Sequence, residues 1–147
     1  MQLRKILCPV DFSNDSREAM EFAIELAAKN HAALALVHVW EPPLWLTSSE
    51  MPISGEAIQQ IVDSEEQNLE TWAGDARRLG APDVSSSFLR GAAWDQVVQA
   101  AKSDPSVDLI VMGTRGRTGL KHALIGSVAE KVVRHAPCRV LVTRRRE

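Results

Sequence analysis

Short, nearly continuous apolar runs alternate along this chain with longer segments in which apolar residues recur every three or four positions. The first pattern fits strands covered on both faces, the second amphipathic helices. Ile6 to Val10 predicts a first strand, closed by Asp11-Phe12-Ser13. Pro9 brings no amide hydrogen to a ladder, so pairing should fail near the C-terminal end of that strand. Ser13 or Asp15 can cap the next helix, with Glu18 at capping-box distance from Asp15, and Ala19, Met20, Ala23, Ile24 and Ala27 make its apolar face. Ala32 to Trp40 lacks alternation and predicts a second strand buried on both sides.

Glu41 to Ser54, with Pro42, Pro43 and Pro52, breaks the pattern and predicts a loop with a turn of structure around Trp45, whose ring is expected to pack on the helix that follows. That helix runs from Gly55 to Leu79, with Ile58, Ile61, Val62, Leu69, Trp72, Ala73 and Ala76 at helical spacing, and stops at Gly80 and Pro82. Val84 to Leu89 predicts a third strand, its centre, Ser85 to Ser87, polar enough for a sheet edge. Ala92 to Lys102 predicts a helix with Trp94, Val97, Val98 and Ala101 inward. Asp108 to Met112 predicts a fourth strand, Ser127 to His135 a last helix and Val140 to Val142 a fifth strand. Five strands alternating with four helices argue for an α/β fold with a parallel sheet. No repeat or linker divides the chain, so residues 1–147 read as one domain.

Composition narrows the function classes. Hydrophobic residues at 45% and charged residues at 24% match an ordinary globular protein. A net charge of −2 predicts no general attraction to nucleic acid, and Arg144 to Arg146 reads as a solvated tail. Cys8 and Cys138 share no CxxC spacing, and His31, His122 and His135 share no metal-ligand spacing. His38, inside an apolar run, is expected to be a satisfied core or rim histidine. Met1 to Cys8 is interrupted by Arg4 and Lys5 and is too short for a signal peptide, and no run approaches the roughly 18 apolar residues of a membrane span. A soluble, cytoplasmic protein is the expectation.

Chemistry concentrates between the fourth strand and the last helix. There the chain reads Gly113-Thr114-Arg115-Gly116, nine further residues, then Gly126-Ser127. A helix N-terminus offers unpaired amides and partial positive charge to an anion. Glycines let a backbone take unusual angles and approach a ligand with no side chain between. Arg115, Arg117 and Lys121 add positive charge. Glycines that merely end a strand, make turns and cap a helix are the alternative. With glycine at about 7% of residues, the full spacing should arise by chance in fewer than roughly 1% of chains this long.

This spacing resembles that of the nucleotide-binding members of the universal stress protein family, and matches it at Gly113, Gly116, Gly126 and Ser127. Ile6 to Ser13 is similar to the opening strand and turn of the family, and Gly126 to Cys138 to its closing helix. The resemblance implies a Rossmann-like open sheet in the order 3-2-1-4-5 with helices on both faces, and ATP, accompanied by Mg²⁺, at the strand C-termini. It implies that Asp11 accepts hydrogen bonds from adenine or ribose. Pro9, Val10 and Val39 would wall the base, with Met112 and Gly113 opposite. Arg115, Gly116, Gly126, Ser127 and Val128 would hold ribose and phosphates. It also implies a homodimer through the fifth strand, Arg139, Val140, Leu141, Val142 and Thr143, and a regulatory rather than catalytic role.

Two other classes stand against that expectation. An ATP-cleaving or AMP-transferring enzyme would be expected to show a Walker Gly-x4-Gly-Lys-Ser/Thr, a His-x-Gly-His or a Gly-x-Ser-x-Gly elbow, and none occurs. A nucleotide-free interaction module would use the glycines only to shape the loop.

Overall fold

The computed structural model describes residues 2–47, 53–115 and 125–145. In chain order these form β1 (Lys5–Pro9), α1 (Asn14–Asn30), β2 (Ala33–Trp40), a 3-10 turn (Leu44–Thr47), α2 (Gly55–Arg78), β3 (Asp83–Arg90), α3 (Ala93–Ser103), β4 (Val107–Gly113), α4 (Ser127–His135) and β5 (Arg139–Thr143). The strands make one parallel sheet in the order β3-β2-β1-β4-β5. β3 takes an edge, as the serine-rich centre of its sequence predicts.

Alternate residues of each central strand feed two apolar layers, because successive side chains of a strand point to opposite faces. Leu34 and Leu36 of β2 and Leu109 and Val111 of β4 pack with Ala19, Met20, Ala23 and Ile24 of α1 and Leu69, Ala73 and Ala76 of α2. Val37, Ile110 and Met112 pack on the other face with Val97, Val98 and Ala101 of α3 and Ala129 and Val132 of α4.

Local details decide one alternative and correct one expectation. The cap of α1 is Ser13, whose Oγ accepts from the Ser16 amide, and Asp15 lies in the first turn. Trp45 does not pack on the long helix: it is 59% exposed, and Leu46 of the same 3-10 turn joins Trp40 and Val62 instead. The helix α2 begins on a second serine cap, Ser54, which accepts from the Ala57 amide.

At the N-terminal end of the sheet, Arg4 pairs with Asp108 at 2.8 Å and Lys5 with Asp104 at 2.7 Å. The Lys5 ammonium, with the Ser106 hydroxyl and amide, holds the Asp104 carboxyl down to about 2. Arg4 does the same for Asp108, also to about 2. Burial pushes the Cys8 thiol up to about 12, so it stays a core side chain with no thiolate chemistry at neutral pH.

Candidate functional site

The cleft originates in a proline. Val10 N donates to Val37 O at 2.8 Å, so the β1–β2 ladder runs to the end of β1. Successive amides of a strand point to opposite sides, which turns the nitrogen of Pro9 toward β4, where it has no hydrogen to give. The β1–β4 ladder stops at Leu7↔Ile110, whereas β4 continues beside β5 to Gly113↔Thr143. The two central strands part where the chain order of the sheet reverses, the place at which open α/β sheets leave a crevice beyond their strand C-termini.

A cleft of about 210 Å³ opens there. Pro9, Val10, Asp11, Val39, Met112, Gly113, Arg115, Gly126, Ser127 and Val128, all singled out from the sequence, line it together. Gly116, the remaining candidate, lies outside the described residues, as do Arg117, Gly119, Lys121 and His122. Six lining residues were not foreseen: Ser16, Val37, Ala93, Val97, Thr114 and Ala129. Thr114 stands inside the glycine motif and could have been found from it. Val37, Val97, Ala93 and Ala129 carry no signal that separates a cleft wall from a core.

One wall is apolar: Val10, Val37, Val39, Val97 and Met112. The other end is polar and built by turns. Asp11 Oδ1 accepts from the Ser13 amide at 3.0 Å and from the Ser13 hydroxyl, and the Asp11 amide faces Ser16 Oγ at 3.3 Å. Asp11 therefore organises the entry to α1 as well as facing the cleft. Opposite, α4 starts at Gly126, a residue with no side chain to cap it, so among the described residues no N-cap side chain meets the first-turn amides. The Arg115 side chain is anchored, its Nε 3.3 Å from Asp15 Oδ2, with only 25% of it exposed. Thr114 is buried and its Oγ1 has no hydrogen-bond partner among the described residues. Among the described residues no cluster of His, Cys, Asp or Glu could hold a metal ion.

The glycines are explained differently from the sequence expectation. Neither Gly113 nor Gly126 takes a positive φ, and Gly126 is extended at φ −70°. Space inside the protein is what excludes a side chain at Gly126 and crowds one at Gly113. A Cβ on Gly126 would sit 2.6 Å from Thr114 O, and one on Gly113 would sit 3.0 Å from the backbone carbonyl of Asp15 in α1. Gly113 lets α1 pack against the end of β4, and Gly126 lets the chain close back on Thr114.

His38, Trp40 and β5 lie away from the cleft. His38 and Trp40 point to the α2 face of the sheet, where both are buried. Strand β5 forms the sheet edge beyond β4, its residues after Arg139 half-buried.

Comparison with known proteins agrees with this architecture. The model of the universal stress protein family matches residues 2–144. A universal stress protein of Methanocaldococcus jannaschii is 32% identical over 144 residues, covering 97% of this chain and 82% of the relative. The structure of the universal stress protein UspA from Lactobacillus plantarum superposes with a TM-score of 0.84 at 26% identity, covering 98% of this chain and 99% of that one. A universal stress protein from Archaeoglobus fulgidus, determined in complex with dAMP, superposes with a TM-score of 0.67 over 97% of this chain and 98% of its own; at 23% identity that likeness speaks to the fold alone.

Proposed function

The chain belongs to the universal stress protein family, and on that premise we propose that it binds ATP in the cleft between β1 and β4 and acts as a nucleotide-responsive regulator without dedicated catalysis. The observation that carries this reading is the pairing of an apolar slot with an uncapped helix start in one crevice. Adenine needs a flat apolar wall, which Pro9, Val10, Val39 and Met112 offer. Phosphates need amides and partial positive charge, which the first turn of α4 offers through Gly126, Ser127 and Val128. Asp11 stands at the base and ribose end, a carboxylate suited to a ribose hydroxyl. Gly113 and Arg115 border the phosphate end. Mg²⁺ would ride on the phosphate oxygens and spread their charge.

The remaining expectations follow as part of the same reading: residues 1–147 act as one nucleotide-binding unit in the cytoplasm, and two copies pair through the β5 edge. No helix among the described residues is long and apolar enough to cross a membrane.

Mass spectrometry of the small molecules retained by freshly purified protein, before and after incubation with ATP and Mg²⁺, tests the proposal. Retained ATP supports it. ADP or AMP accumulating with turnover points instead to an enzyme, and a cleft that ignores ATP points to an interaction module.

A further inference from the structure

Across the sheet from the cleft, His38 is 3% exposed. Its Nδ1 lies 2.7 Å from the carbonyl oxygen of Val10, and its Nε2 lies 2.9 Å from Glu65 Oε2 of α2, close but not aligned as a hydrogen bond. Phe12 stacks on the imidazole with ring centroids 4.4 Å apart, although its backbone sits at φ +65°, a region bulky residues avoid. Phe88 closes the other flank at 5.7 Å. The side chain does not line the cleft. Its contacts to the end of β1 and the turn after it include the Val10 carbonyl and the Phe12 ring, the two neighbours of Asp11.

We infer that His38 is a positioning residue for the cleft: its imidazole fixes where β1 ends and the Asp11 turn begins, and ties both to helix α2 on the far face of the sheet.

The chemistry of the two partners sets the state of the ring. A backbone carbonyl only accepts, so Nδ1 carries a hydrogen. In the regular continuation of a parallel ladder, the Val10 carbonyl would accept from the Val39 amide, two residues beyond Val37. The imidazole takes that carbonyl instead and pulls the chain out of the sheet at the point where Pro9 has already parted it from β4. At the other nitrogen, Nε2 lies 2.9 Å from Glu65 Oε2, which sets the ring against α2. Strained backbone persists where its surroundings over-determine it. Here the stack on His38, with Trp72 edge-on to Phe12 at 5.3 Å, holds Phe12 in place. Phe12 sits between Asp11 and Ser13, so this contact holds in place the turn across which Asp11 Oδ1 accepts from the Ser13 amide and hydroxyl.

The inference concerns the same cleft and rests on the ATP reading for its ligand measurement only. Three measurements test it. In wild-type protein, ¹⁵N NMR of the imidazole should show Nδ1 protonated; a ring protonated at Nε2 alone could not donate to Val10 and would overturn the inference. In His38→Leu, ATP should bind about five- to tenfold more weakly, the factor one hydrogen bond is worth, and the Asp11 amide resonance should move. In His38→Asn, which keeps an N–H near the place of Nδ1, affinity should return to within about twofold of wild type and the resonance should move back. Unchanged affinity and an unmoved resonance in the leucine variant, or no recovery in the asparagine variant, would overturn it. Should the leucine variant fail to fold, the asparagine variant and the wild-type tautomer still decide. Should wild-type protein take up no ATP, the nucleotide reading falls, while the tautomer and the Asp11 resonance go on testing this one.

Discussion

Replacing Gly126 by alanine should damage the protein before any nucleotide is added. The added Cβ would stand 2.6 Å from Thr114 O, where carbon and oxygen essentially never approach within 3.0 Å. That oxygen cannot swing aside as a side chain would. It belongs to the backbone, and it accepts the Gly126 amide hydrogen at 2.6 Å. Thr114 is held in turn by its own amide, which donates to Thr143 O of β5 at 3.0 Å. Relief requires Thr114 and the start of α4 to separate, which strains the loop and lengthens their hydrogen bond. Overpacking of this kind costs about 1–3 kcal/mol, and a weakened hydrogen bond about 0.5–1.5 kcal/mol more. At about 2–4 °C per kcal/mol for a chain near 150 residues, the apo melting temperature should fall by roughly 5–15 °C. Gly113→Ala should be milder, because its Cβ meets Asp15 at 3.0–3.1 Å and α1 needs to yield only slightly. Differential scanning calorimetry of both apo variants reads the order directly. An apo Gly126→Ala protein melting within about 2 °C of wild type would refute the steric argument and return Gly126 to a role felt only when ligand is bound.

Asp11→Asn should weaken ATP by a factor consistent with about 1.5–3 kcal/mol for a charged hydrogen-bond partner, while inorganic triphosphate loses much less; equal losses by calorimetry would move Asp11 to the phosphate end. Asp104 and Asp108 have folded pKa values near 2, below the value of about 3.9 for an unfolded aspartate, so their stabilisation is present above about pH 4 and is lost as pH falls from there toward 2. The double variant Asp104→Asn/Asp108→Asn should flatten the dependence of melting temperature on pH in that window, and an unchanged slope would place acid sensitivity elsewhere. At the β5 edge, Val140, Leu141 and Val142 bring no charge or proline to protect unpaired backbone groups, so two copies should pair about a two-fold axis. Light scattering at micromolar concentration should give a dimer, weakened by Leu141→Pro; a monodisperse wild-type monomer with or without ATP would dismiss the pairing.

The strands were legible because each central one is apolar without alternation and bounded by turn residues, while Ser85 to Ser87 marked β3 as an edge. Pro9 revealed where β1 would lose a partner, since a missing amide hydrogen is visible in the sequence itself. Contacts between elements were not legible. Nothing in Asp15 or Arg115 announces that they pair across 100 residues, and nothing in Val97 distinguishes a cleft wall from a core position. The glycine motif shows why this matters for function. Its spacing suggested room for phosphate, yet Gly126 is demanded by packing of the protein against Thr114, and Gly113 sits in close contact with Asp15. Gly126 would be required in an empty cleft as well, and Gly113 would be favoured there. The argument for a ligand therefore passes from glycine identity to what those close approaches create: an uncapped α4 start brought up against an apolar slot that Pro9 has opened. A nucleotide is the kind of molecule whose two halves want those two surfaces at once.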